Sequence, residues 1–111
     1  MKKFDVISSK SDFNYITKYG KKFVCKGFVV FILNDSSLER FYIGWIVSSK
    51  NGNAVFRNRI KRRLRSLSSF IADVFNDNQY LKICYIAKKQ SYFLNFDYMK
   101  QELLSVIKKN I

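Results

Sequence analysis

Two patterns are interleaved between residues 56 and 71. Phe56, Ile60, Leu64, Leu67 and Ile71 recur at helical spacing and fall within roughly 80° of arc on a wheel of about 100° per residue. A stripe this regular must lie against a packed layer, so the segment is committed to a helix with one buried face. The same stretch contains "RNRIKRRLR", positions 57–65, with 6 cations in 9 positions and no acid. Arg57, Lys61 and Arg65 follow one another at i, i+4 and i+8 along one edge of the apolar stripe, and Arg59, Arg62 and Arg63 fill the remaining arc. Cations spaced by four repel by a few tenths of a kcal/mol per pair. No acidic residue occurs between Arg40 and Ala72 to relieve them. The helix therefore calls for a counter-charge from outside the chain, and phosphate is the ready candidate.

Composition points the same way. In 111 residues there are 21 Lys plus Arg against 8 Asp plus Glu, a net charge of +13. Self-repulsion of that size works against compaction and is explained by a polyanionic partner, either nucleic acid or an anionic membrane. The longest uninterrupted apolar run, "FVVFIL" at 28–33, is far short of the roughly 20 residues that span a bilayer. "MKKFDVISSK" lacks the apolar region of a secretory signal, so a cytoplasmic protein with no membrane role is expected. Cys25 and Cys84 are too few for a disulfide scaffold and lie in strand-like segments, where small buried thiols are the ordinary case. With no histidine, Ser-His and Cys-His pairs, histidine acid–base chemistry and the common zinc sets are all excluded. No phosphate-binding glycine loop of the Gly-Lys-Ser/Thr type is present. The side chains alone suggest no covalent chemistry.

The chain reads as one domain over 1–111 with the element order αββαβα, an α+β sandwich of helices on a sheet. Ser9 and Ser11 are candidate N-caps of a first helix from about Ser11 to Tyr19. "KFVCKGFVVFIL" and "ERFYIGWIVS", separated by "NDSS", predict two antiparallel strands joined by a turn. Asn53 can cap a long helix running to about Phe75. "YLKICYIA" predicts a third strand, and Asn95 can cap a last helix with Phe96, Met99, Leu103 and Val106 at helical spacing.

"GNAVFRNRIKRRLR", Gly52 to Arg65, resembles the signature of the bacterial ribonuclease P protein component, whose Arg-Asn-Arg run opens the long helix. "SDFNYITKYGKKF", "FVVFIL", "IGWIVSSKNGNAV" and "YIAKK" are similar to the family's other elements, so the resemblance covers nearly the whole chain. It implies a ribonuclease P protein-like sandwich, related to a ribosomal-protein fold, with a left-handed βαβ crossover. It also implies the partners: a catalytic RNA subunit, which carries the chemistry with Mg2+, and precursor tRNA, whose 5′ leader is removed. No metal site on the protein and no obligatory protein partner are expected.

Carried residue by residue, the resemblance places Phe13, Val29 and Phe31 on the floor of a leader cleft and Arg57, Lys61 and Arg65 on its rim. Positions 29 and 31 share a face by the period of two. Asn58, Arg59, Arg62 and Arg63 would meet the RNA subunit, with Asn58 able to orient phosphate or metal-bound water. Plain packing competes for Phe13, Val29 and Phe31, and Trp45 is assigned to packing. The chain departs from the family pattern at Thr17, often aromatic, at Ser49 and Asn51, usually lysine and aliphatic, and at Lys88, commonly arginine. Two other readings share the basic helix: a ribosomal-protein-like or general RNA chaperone, and a membrane-surface protein. The second would want free apolar residues, which the regular stripe does not leave.

Overall fold

The computed structural model describes residues 4–35, 37–48, 50, 52–75, 80–89 and 93–110. Ser49 and Asn51 lie outside them. The elements in chain order are β1 (Phe4–Val6), α1 (Lys10–Tyr19), β2 (Lys21–Val24), β3 (Phe28–Asn34), β4 (Phe41–Ile46), α2 (Ala54–Val74), β5 (Leu81–Ala87) and α3 (Phe96–Lys108). The expected αββαβα order is present with two short strands added. β1 has three residues, too few for a readable alternation. The run expected as one strand from Lys22 divides at Cys25–Gly27 into the hairpin β2–β3, closed by the Cys25 amide donating to the Phe28 carbonyl at 2.9 Å.

Each helix starts where a side chain can satisfy its first amides. The Ser9 hydroxyl accepts from the Asp12 amide, Asn53 Oδ1 from Val55 and Phe56 at 3.1 and 3.2 Å, and Asn95 Oδ1 from Tyr98 at 3.2 Å. Gly52 leads into α2 with φ +119°, a left-handed backbone region that side chains disfavour. α2 then runs unbroken to Val74, and the Phe75 amide closes it on the Ile71 carbonyl at 3.0 Å.

The five strands are ordered β1-β4-β5-β3-β2. β4 is parallel to both β1 and β5, and β3 is antiparallel to β5 and β2. The expected β3–β4 pairing is therefore corrected: the two strands run in opposite directions, but β5 lies between them. β5 is buried on both faces, as a central strand must be, and a short polar connection cannot signal whether it closes a hairpin or skips a strand. From Asn34 to Phe41 the chain reaches far enough, since alternate strands lie only roughly 10 Å apart. β4, α2 and β5 form a parallel βαβ unit.

The alternation of each strand separates two packing faces. Phe28, Val30, Ile32, Phe41, Ile43, Leu81, Ile83 and Tyr85 meet Ile60, Leu64, Leu67 and Ile71 of α2 and Met99, Leu103 and Ile107 of α3. The expected stripe of α2 is thus its buried face, with Phe56 only half-buried. On the other side, Phe31 and Cys84 pack with Ile7 and Ile16, and α1 covers them. Among the described residues no helix is long and apolar enough to cross a membrane.

Candidate nucleic-acid interface

Anchoring one face of α2 in the core fixes where its cations stand. Arg57 lies next to the buried stripe and is half-buried, its Nε without a hydrogen-bond partner among the described residues. Lys61 and Arg65, further round the same flank, are exposed. Arg63 sits on the opposite flank, half-buried, with Nη1 at 3.7 Å from the Met99 sulfur of α3. Asn58, Arg59 and Arg62 are exposed on the outer arc. Arg63 stands against α3, whereas Asn58, Arg59, Lys61, Arg62 and Arg65 surround one groove of about 590 Å³ with Val55 and Trp45. The Arg65 guanidinium lies 5.3 Å from the centre of the Trp45 ring, within cation–π range.

Phe13, Val29 and Phe31 come together on the α1 face, across the sheet from α2. Arg57, Lys61 and Arg65 stand on α2, which packs against the other face of the sheet. Phe31 is only 9% exposed. The Phe13 ring fills the space over Gly44, where an added Cβ would lie 2.7 Å from its ζ carbon. The part of this face that α1 leaves open is a row of aliphatic side chains across four strands. Val24 pairs with Val29, Val29 with Ile86, and Ile86 with Ile46. Val24 is 68% exposed and Ile46 37%. Thr17 returns its hydroxyl to its own helix, at 3.0 Å from the Phe13 carbonyl. The Lys88 ammonium donates to the Cys25 carbonyl at 2.6 Å, which makes it a clasp on the β2–β3 turn.

The two surfaces meet at the edge of β4. β1 pairs with β4 only as far as Ile43, so the last residues of β4 form an edge beyond it. Trp45 and Ile46 are consecutive there and face opposite sides, one toward the cationic groove and the other toward the aliphatic row. At the far end of the sheet, Asp5, Asp12, Asp35 and Glu39 line a depression with Arg40, Tyr42 and Lys82. Those four are half of the chain's 8 acids. The Asp35 carboxyl is held below its usual pKa by hydrogen bonds from Ser37. Among the described residues no three His, Cys, Asp or Glu side chains converge as a metal-ligand set.

A family model described as Ribonuclease P matches residues 1–110. The chain belongs to the ribonuclease P protein family. It is 38% identical over 109 residues to the ribonuclease P protein component of Listeria welshimeri, which covers 97% of this chain and 89% of that one. The ribonuclease P protein of Staphylococcus aureus superposes with a TM-score of 0.78 at 30% identity, over 95% of this chain and 94% of its own. That of Thermotoga maritima gives 0.77 at 25% identity, over 95% and 96%. Ribonuclease P is an endoribonuclease of tRNA processing, and membership makes this chain one of its protein components. The residues that the sequence did not single out but that the fold brings to these two surfaces are Val24, Ile46, Ile86 and Trp45. The first three were accessible in principle from strand alternation, but only once the strand order aligns them into a row. Trp45 was visible in the sequence, but as a packing residue.

Proposed function

We propose that this chain is the protein subunit of a ribonuclease P ribonucleoprotein, acting in the cytoplasm without a membrane or an obligatory protein partner. The supporting observation is α2 itself, a helix pinned by the buried stripe from Ile60 to Ile71 with its outer arc cationic and without an acid until Asp73. In this reading Asn58, Arg59, Lys61, Arg62 and Arg65 grip the phosphates of the catalytic RNA. The row Val24, Val29, Ile86 and Ile46, walled by Phe13, receives bases of the 5′ leader of precursor tRNA. Arg57, at the start of α2 and close to the end of β4, serves the passage between them. Each phosphate held by a charge-assisted hydrogen bond contributes on the order of 1 kcal/mol at such partly solvated positions.

Mg2+ bound to the RNA supplies the hydrolytic chemistry. The protein's part is to hold RNA and leader in register, which raises local concentration and orientation rather than altering the reacting bond. Reconstitution tests the proposal: the chain is added to the ribonuclease P RNA of the same cell at low magnesium, and removal of the leader from a precursor tRNA is followed. Stimulated cleavage at the mature 5′ end is expected, with none by the chain alone. Equal promotion of annealing for unrelated RNAs, with no effect on leader removal, would put the general RNA chaperone ahead.

A further inference from the structure

Along the α2 face of β4, Phe41 and Ile43 are fully buried, while Trp45, next in the alternation, remains half-buried. Its inner side packs against the main core. Its outer surroundings are Val55, Asn58, Arg59, Lys61, Arg62 and Arg65. An indole placed only for packing would be completed by apolar neighbours, and phosphate binding alone would need no aromatic ring. The groove is in the size range of small-molecule sites. It combines a large π-surface with cations, the combination that single-stranded nucleic acid uses.

We propose that Trp45 is a stacking platform for one unpaired RNA nucleotide, whose base displaces the Arg65 guanidinium from the indole and whose phosphates are taken by Lys61, Arg62 and Arg65. The exchange is favourable. An exposed cation–π contact is worth roughly two- to five-fold in an equilibrium. A stacked base is worth roughly five- to 100-fold, and the released Arg65 gains a phosphate. Duplex RNA cannot make this contact, because its bases are already stacked inside the helix. The groove therefore selects a bulge, loop or single-stranded joint over a continuous helix. This inference rests on the reading of α2 as an RNA-binding surface, and it deepens that reading by naming the kind of RNA element.

Trp45 is the sole tryptophan, so its fluorescence reports the groove directly. The full chain is titrated with hexaadenylate, with a blunt-ended, fully paired RNA duplex and with inorganic tripolyphosphate, and binding is followed separately by anisotropy of dye-labelled RNA. Hexaadenylate is expected to quench Trp45, and the duplex and tripolyphosphate to bind without comparable quenching. Trp45→Leu should weaken hexaadenylate roughly five- to 100-fold, and Trp45→Phe should weaken it less. Both variants should leave duplex affinity unchanged, which would exclude misfolding as the cause. If hexaadenylate binds at saturation without quenching, or Trp45→Leu leaves its affinity intact, the stacking proposal falls and the reading of α2 survives. If neither RNA binds, both fall.

Discussion

Gly44→Ala should damage this protein through Phe13. A Cβ at position 44 would lie 2.7 and 2.8 Å from the ζ and ε1 carbons of the Phe13 ring and 2.9 Å from the Ile7 Cβ. All three distances are shorter than real side chains tolerate, and Ile7 contributes a branched Cβ that cannot swing aside. The cost of such overpacking is about 1–3 kcal/mol. The loss of chain entropy in the unfolded state returns about 0.4–1 kcal/mol, so a net loss of about 1–2 kcal/mol is expected, or several degrees in Tm for a domain of this size. Urea unfolding followed by circular dichroism measures it. Because two of the three contacts are with a ring that can be removed, Phe13→Ala should partly rescue Gly44→Ala. The double variant should be more stable than the sum of the single losses by about 1 kcal/mol. Strict additivity, or a Gly44→Ala protein as stable as the parent, would refute the close seating of α1 on β4.

Substituting Asp for Ile46 or Ile86 should weaken precursor tRNA far more than mature tRNA, since mature tRNA has no leader; equal losses in paired binding assays would remove the aliphatic row from the leader path. Alanine at Arg59 and Arg62 should instead weaken assembly with the RNA subunit by about 1 kcal/mol per contact, read as the protein concentration needed for half-maximal holoenzyme. If groove and leader path together neutralise about six phosphates, the slope of log K against log salt should be roughly −4 to −5, and a flat plot would contradict the phosphate reading. Burial pushes the Cys84 thiol up to about 12 and the Cys25 thiol to about 11. Folded thiols keep their protons where unfolded ones ionise, so this contribution to stability is complete below pH 9 and is lost as pH rises from there toward 12. Cys84→Ala should flatten that alkaline decline in Tm.

The helices were legible because their signals are local. Asn53 and Asn95 cap where expected, and the stripe from Ile60 to Ile71 is buried as its spacing requires. Strand neighbours were not legible, because the partner of β3 is β5, whose pairing residues begin at Leu81, across the whole of α2. That exchange also decided what could be seen of the site. The cations of α2 could be placed by helical angle alone, but the row from Val24 to Ile46 exists only after four strands are set side by side. Phe31 is placed on a cleft floor by the resemblance, with packing as its competitor, and only the seating of α1 shows that it is largely covered. Thr17 reads as a lost stacking residue, yet its hydroxyl is engaged with its own helix.

The depression lined by Asp5, Asp12, Asp35 and Glu39 lies at the opposite end of the sheet from the start of α2, which leaves the protein's charge off-centre as well as large. In the field of a polyanion, such a body experiences a torque before it makes any contact, and it turns its arginine-rich end inward while still a Debye length away. Encounters thus begin in the productive orientation. The same torque turns the acidic end, with Leu38 and Glu39 on it, away from the polyanion. A dye, tag or surface linker attached there would project away from the RNA.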